Sequence, residues 1–193
     1  MLGIDIIIFM NNPANPAPNL PPPEDVTMPD GSHIIIRPIQ PEDADALQTT
    51  FGLLSPQSIY FRFMSHKKVL TDEEAERFAN LDYHTQMAFV AVGEENGTPF
   101  ILGVSRYALL DPAQPDLAEA AVVVGDEYQH RGIGKVLLWR LVQYARTQGI
   151  RYLRGVILLE NQRMVELVKK GGLPYQQRFV DGYHQITIDI GSS

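Results

Sequence analysis

The chain contains no cysteine, which removes disulfides, thiolate metal sites and a cysteine nucleophile from consideration. It also lacks a basic surplus, since 16 Lys and Arg stand against 23 Asp and Glu for a formal net charge of -7. No broad positive field is available for a phosphate backbone, so nucleic acid is not an expected partner. Long apolar runs are missing too. The most hydrophobic stretch, "MLGIDIIIFM", has no Lys or Arg before it, carries Asp5, and is shorter than the roughly 20 residues a spanning helix needs. It reads as a strand-like arm, no membrane partner is expected, and the cytoplasm is the expected compartment. The five histidines show no His-x-x-x-His spacing, and no metal is expected.

What is present fits one domain: 193 residues, 45% hydrophobic and 20% charged, are enough for a single sizeable core. Residues 1–31 read as an N-terminal arm followed by a proline-rich linker, "NNPANPAPNLPPPEDVTMPDG", an extended tether rather than packed structure. The compact domain is expected over 32–193.

From His33, "HIIIRPI" reads as a strand and "PEDADALQTTFGLL" as a helix opened by proline and acids. Ser55 with Pro56, and Thr71 with Glu74 in a capping box, start two short helices. "QMAFVAVGEENGTPFILGVSRYAL" and "LAEAAVVVG" supply three antiparallel strands, with a turn at Asn96-Gly97. Beyond Gly132 the positions Leu137, Leu138, Leu141, Val142 and Ala145 recur at helical spacing until Gly149. "RYLRGVILL" is a strand, Asn161 caps the helix "QRMVELVKK", and a hairpin turning at Asp181-Gly182 closes the chain.

One stretch points to a ligand. In "VVVGDEYQHRGIGKVLLWRLVQYA" a β-branched run passes through Gly132 and Gly134 straight into a helix. A helix N-terminus exposes unpaired N–H groups and the positive end of the helix dipole, and glycine lets an anion approach them. A plain strand-to-helix turn would also use such glycines. A Walker loop fails, because Gln129 stands where its first glycine belongs and Val136 where Ser or Thr belongs; a dinucleotide fingerprint fails at Leu137.

Gln129-x-x-Gly132-x-Gly134, between that strand and that helix, resembles the pyrophosphate loop of the GNAT acetyltransferases, and the order of elements from Ile34 to Ile190 agrees with theirs. "LSPQSIYFRFMS", "LDYHTQMAFVAV" and "AEAAVVVGDEYQHRGIG" are similar to the GNAT domain of bacterial protein lysine acetyltransferases. The resemblance implies an α/β (α+β) fold, a mixed, mostly antiparallel sheet of six to seven strands flanked by helices. It implies acetyl-CoA as cofactor, an amine acceptor that includes protein lysines, and a monomer or homodimer. The amides of Arg131, Gly132, Ile133, Gly134 and Lys135 would hold the coenzyme A pyrophosphate. The strand Val122, Val123, Val124 would lie along the pantetheine, with Gln129 and Asn161 completing the cofactor site. Arg131 and Lys135 would add charge there, unless they are ordinary surface cations.

Acetyl transfer needs an uncharged amine, whereas a lysine with a pKa of about 10.4 is almost wholly protonated at neutral pH. A base is therefore required. Glu119 is the first candidate. Strand alternation puts it on one face with Ala121 and Val123, and the resemblance places a glutamate there in the lysine acetyltransferases. A solvent-facing glutamate at a strand end is the alternative. Asp126 and Glu127 are rivals better suited to shaping the loop. Backbone N–H groups at Val122 to Val124 would face the developing oxyanion. The family's usual thiolate-protonating tyrosine falls at Val168, and Tyr175 is a distant substitute. By analogy Tyr60, Arg62, Asp82 and Tyr83 border the acceptor site, core packing being an equal role for Tyr60. A small-amine acetyltransferase and a non-catalytic acyl-CoA sensor are the competing functions.

Overall fold

A computed structural model describes residues 19–95 and 97–191; the expected arm at Met1 to Met10 and the Asn96 half of the expected turn lie outside the described residues. The elements run β1 (Glu24–Thr27), β2 (His33–Pro38), α1 (Ala44–Gly52), α2 (Pro56–Phe63), α3 (Asp72–Ala79), β3 (Gln86–Glu95), β4 (Thr98–Leu109), β5 (Leu117–Val124), α4 (Ile133–Thr147), β6 (Tyr152–Leu158), α5 (Gln162–Lys170), β7 (Tyr175–Val180) and β8 (Tyr183–Asp189). The strands form one sheet in the order β1-β2-β3-β4-β5-β6-β8-β7. Among the described residues only β5 and β6 pair in parallel.

The sheet has eight strands where six to seven are expected, because the chain enters it upstream of Ser32. Glu24 to Thr27 pair with Ile36 to His33. Gly31, at φ +84°, permits the reversal, and the Met28 N–H to Ser32 carbonyl bond of 2.8 Å closes it. Met28 is 3% exposed, so this end of the proline-rich segment is packed against the domain.

The expected helix starts are present. Ser55 Oγ accepts from Ser58 N–H at 3.2 Å with Pro56 following, Thr71 and Glu74 cap each other, and Asn161 Oδ1 accepts from Met164 N–H at 3.2 Å.

Alternation on the strands sends side chains into two cores. On one face α4 covers Phe89, Tyr107 and Ile186 with Leu137 and Leu141. On the other, Leu47, Phe51, Ile59 and Phe78 of α1 to α3 cover Ala88 and Val90. The second layer is pinned by an ion pair. Arg37 donates from Nη1 and Nη2 to the two oxygens of Asp43, both at 2.7 Å, and Gln40 N–H donates to the same carboxylate at 2.8 Å. Asp43 is buried, so removing it strands the guanidinium. Asp43→Ala should lower the unfolding free energy by about 3 kcal/mol, read from urea melts.

Candidate active site

β5 and β6 pair only at Leu117–Tyr152, Ala118–Leu153 and Glu119–Arg154. Beyond that point the two strands separate, and a cleft of about 460 Å³ opens between them, lined by Ala120 to Val124, Gly155 to Ile157, and residues of α4 and α5. β5 keeps its other edge on β4, from Leu109–Ala118 to Gly103–Val124. Its cleft edge from Ala120 onward pairs with no strand among the described residues, leaving backbone groups for an extended ligand.

The glycine loop closes one end of this cleft. Asp126 accepts from Ser55 N–H, Ser55 Oγ and Ser58 Oγ, each at 2.8 Å, which ties the loop to the start of α2. Burial pushes the Asp126 carboxyl up, but these hydrogen bonds outweigh it and hold the group below the ordinary carboxylate range. Gln129 is a bracket. Its Nε2 donates to the Val124 carbonyl at 3.1 Å and its Oε1 accepts from Arg163 Nη1 at 2.6 Å, joining the end of β5 to α5.

Gly132 is the N-cap of α4 at φ +93°, and no side chain among the described residues caps the helix. The Lys135 N–H turns back onto the Gly132 carbonyl at 3.0 Å, so the helix opening rests on the amides of Ile133 and Gly134. A Cβ built on Gly134 would meet Val124 at 3.6 Å and Leu167 at 3.7 Å, in space that glycine leaves to the cleft. An uncapped helix start beside a bare backbone fits a diphosphate, and the largely apolar trough between the strands fits a thin acyl-carrying arm.

The cations flanking the glycines differ in use. Lys135 is exposed and lines the cleft. Arg131 does not line it; Nε donates to Asp30 at 2.8 Å and Nη2 to Ser32 Oγ at 3.1 Å, fastening the loop to the β1–β2 turn. Asn161 lines the cleft while capping α5. Val168 also lines it and is 7% exposed, whereas Tyr175 is exposed on β7 and stands outside the lining.

Glu119 stands where the strands part. It is not itself in the cleft wall, which begins at Ala120. It is partly buried, and burial pushes its carboxyl up, with Arg62 and Arg154 opposing. Arg62 lines both the cleft and a smaller cavity of about 60 Å³ behind it.

The other expected acceptor-side residues are used locally. Tyr60 stacks on His66, with ring centroids 4.9 Å apart. Asp82 accepts from His84 N–H and Gln86 N–H, both at 2.9 Å, and from Thr85 Oγ1. Tyr83 donates its hydroxyl to the Ile39 carbonyl at 2.9 Å, and neither Asp82 nor Tyr83 lines the cleft. Two arginines near Glu119 escape a motif search, Arg106 on β4 and Arg154 on β6. Their signal is charge at alternating positions inside otherwise apolar strands.

A strand pair splayed beside an uncapped glycine-fronted helix has the shape an acyl-CoA acetyltransferase needs, and similarity to known proteins gives the class. The family model described as an acetyltransferase (GNAT) domain matches residues 33–174, and the chain belongs to that family. It is 34% identical over 138 residues to acetyltransferase PA5475 of Pseudomonas aeruginosa, covering 72% of this chain and 73% of that one. It is 28% identical over 142 residues to acetyltransferase Pat of Mycolicibacterium smegmatis, covering 74% of this chain but 41% of Pat. Among solved structures, the GNAT domain of S. lividans PAT superposes with a TM-score of 0.78 at 28% identity, over 86% of this chain and 96% of that domain. The protein is a GNAT acetyltransferase that uses acetyl-CoA and an amine acceptor. No helix among the described residues is long and apolar enough to cross a membrane.

Proposed function

We propose that this enzyme acetylates the side-chain amine of a protein lysine, with Glu119 as the general base. The observation that carries the reading is the end of β5–β6 pairing at Glu119–Arg154, which sets a partly buried carboxylate at the head of the cleft. Acetyl-CoA supplies the acetyl thioester. The amides of Ile133 and Gly134 would hold its diphosphate, with Lys135 adding charge; the open edge of Val122 to Val124 would receive the pantetheine, and Asn161 would flank it. Glu119 would take the ammonium proton directly or through one water. With Val168 at the expected tyrosine position, the leaving thiolate, whose conjugate thiol ordinarily titrates at about 8.5, would be protonated from water. The similarity of "LDYHTQMAFVAV" and "AEAAVVVGDEYQHRGIG" to the GNAT domain of bacterial protein lysine acetyltransferases supports a protein acceptor. A thiol-release assay on purified acyl-CoA synthetases, beside spermidine and free amino acids, tests it; release with the small amines alone refutes the protein acceptor.

The pH dependence follows from the base. A carboxylate acts only when ionised, so kcat/KM should rise with pH through the Glu119 pKa, which burial sets above the ordinary value of about 4.3. Arg62→Gln removes a cation that favours the ionised form. The acid limb of the profile should then move to higher pH, as measured with one alkylamine acceptor that carries no carboxylate.

A further inference from the structure

We infer that Arg62, Arg106 and Arg154 form a carboxylate-binding subsite beside Glu119, so that the acceptor is an amine that brings its own carboxylate. This rests on the acetyl-transfer reading above and specifies its acceptor.

Sheet register assembles the group. Arg154 pairs directly with Glu119 across β5–β6. Arg106 pairs with Ala121, and Ala108 with Glu119, so Arg106 lies on the same face, diagonal to the carboxylate. Arg62 comes down from α2, and with Arg106 it lines the 60 Å³ cavity that shares Ala121 and Val123 with the main cleft.

Among the described residues, none of the three arginines makes a salt bridge or a side-chain hydrogen bond. Arg154 Nε is buried with no hydrogen-bond partner. Arg106 lies over the Phe78 ring at 4.7 Å and Arg62 over Phe63 at 5.0 Å, contacts that orient a guanidinium without satisfying its N–H groups. Burial, then repulsion from Arg62 and Arg77, bring Arg106 down to about 9. Partly buried guanidinium groups with no hydrogen-bond acceptor are costly, and a planar fork of donors matches a carboxylate. The charged groups gathered here are Arg62 of α2, Arg77 of α3, Arg106 of β4 and Arg154 of β6 against the carboxylate of Glu119. An ammonium arriving alone meets excess positive charge. One accompanied by a carboxylate neutralises it.

The test uses the full chain, acetyl-CoA and capped pentapeptides holding one lysine flanked by Glu or by Gln, with free lysine and lysinamide as the small-molecule arm. The expected result is a preference of about tenfold or more in kcat/KM for the carboxylate-bearing member of at least one pair, and the pair that shows it identifies the source of the carboxylate. Arg106→Gln and Arg62→Gln should each collapse that ratio, and Arg106→Lys should restore part of it. Should Arg106→Gln fail to fold, Arg62→Gln at the cleft wall carries the test. Arg106→Met should raise the melting temperature, because it removes a partly buried cation that has no hydrogen-bond acceptor; a fall would assign Arg106 to the scaffold and overturn its place in the subsite. Transfer to both members of each pair at equal kcat/KM overturns the subsite while leaving amine acetylation intact. No transfer to any acceptor overturns both.

Discussion

Glu119→Gln should bind acetyl-CoA with nearly the affinity of the parent chain and turn over at least about a hundredfold more slowly, a loss of about 2.7 kcal/mol in transition-state stabilisation. Binding survives because the carboxylate is outside the cleft wall and away from the helix opening at Ile133 and Gly134. Turnover falls because the amide cannot accept the ammonium proton at neutral pH. A scaffolding role for Glu119 predicts a different pattern. The native state raises the carboxyl pKa, so it holds the proton more tightly than the unfolded chain does. Stability then declines as pH rises from the unfolded value through the raised folded value. At pH 7 the ionised group is a burden on the fold, and Gln should leave the melting temperature equal or higher. Calorimetry with acetyl-CoA, thiol release and a thermal melt together decide the matter. Unchanged turnover removes Glu119 from the chemistry, and a lowered melting temperature with weaker cofactor binding makes it structural. A sensor that had lost catalysis would bind acetyl-CoA and release no thiol in the parent chain.

The readings that depend on local rules agree with the structure. Ser55, the Thr71–Glu74 box and Asn161 cap helices through bonds that span three residues, and Asp181-Gly182 turns the last hairpin at φ +50° and +86°. The β5 alternation that groups Glu119 with Ala121 and Val123 is likewise local, and it is the face that meets β4 at Ala108 and Arg106. Long-range decisions leave a fainter trace. β1 has four residues in a proline-rich stretch, and its partner is chosen by the Pro29-Asp30-Gly31 turn and by the burial of Met28. Arg131 resembles a phosphate ligand in sequence because it neighbours the glycines, yet Asp30, distant along the chain, holds it. Asp82 resembles an acceptor-side acid and serves instead to fasten backbone N–H groups at the entry to β3. A short carboxylate at a strand start satisfies local donors more readily than it waits for a ligand. Arg106 and Arg154 carry no motif; only register brings them to Glu119.

The two glycines should fail in different ways when replaced. Gly132 holds φ +93°, a conformation that costs a residue with a Cβ about 1 to 2 kcal/mol, and its added Cβ would sit 3.4 Å from Met28 Cε. Gly132→Ala should therefore lower stability, loosening the loop and with it the cofactor. Gly134 is not in the left-handed region, and its Cβ would find ordinary contacts with Val124, Leu167 and Val122 at 3.6 to 3.9 Å. Gly134→Val should leave stability within about 1 kcal/mol, since a β-branched residue in a first helical turn loses little against glycine. Its methyl groups would nevertheless occupy the approach to the uncapped amides, where a diphosphate needs bare backbone. Acetyl-CoA affinity should drop about a hundredfold or more, equal to roughly 2.7 kcal/mol, as calorimetry would show. A variant that melts like the parent chain and no longer binds separates lost space from lost fold. If Gly134→Val still binds acetyl-CoA as tightly, the diphosphate rests elsewhere, and the role assigned to the α4 opening falls.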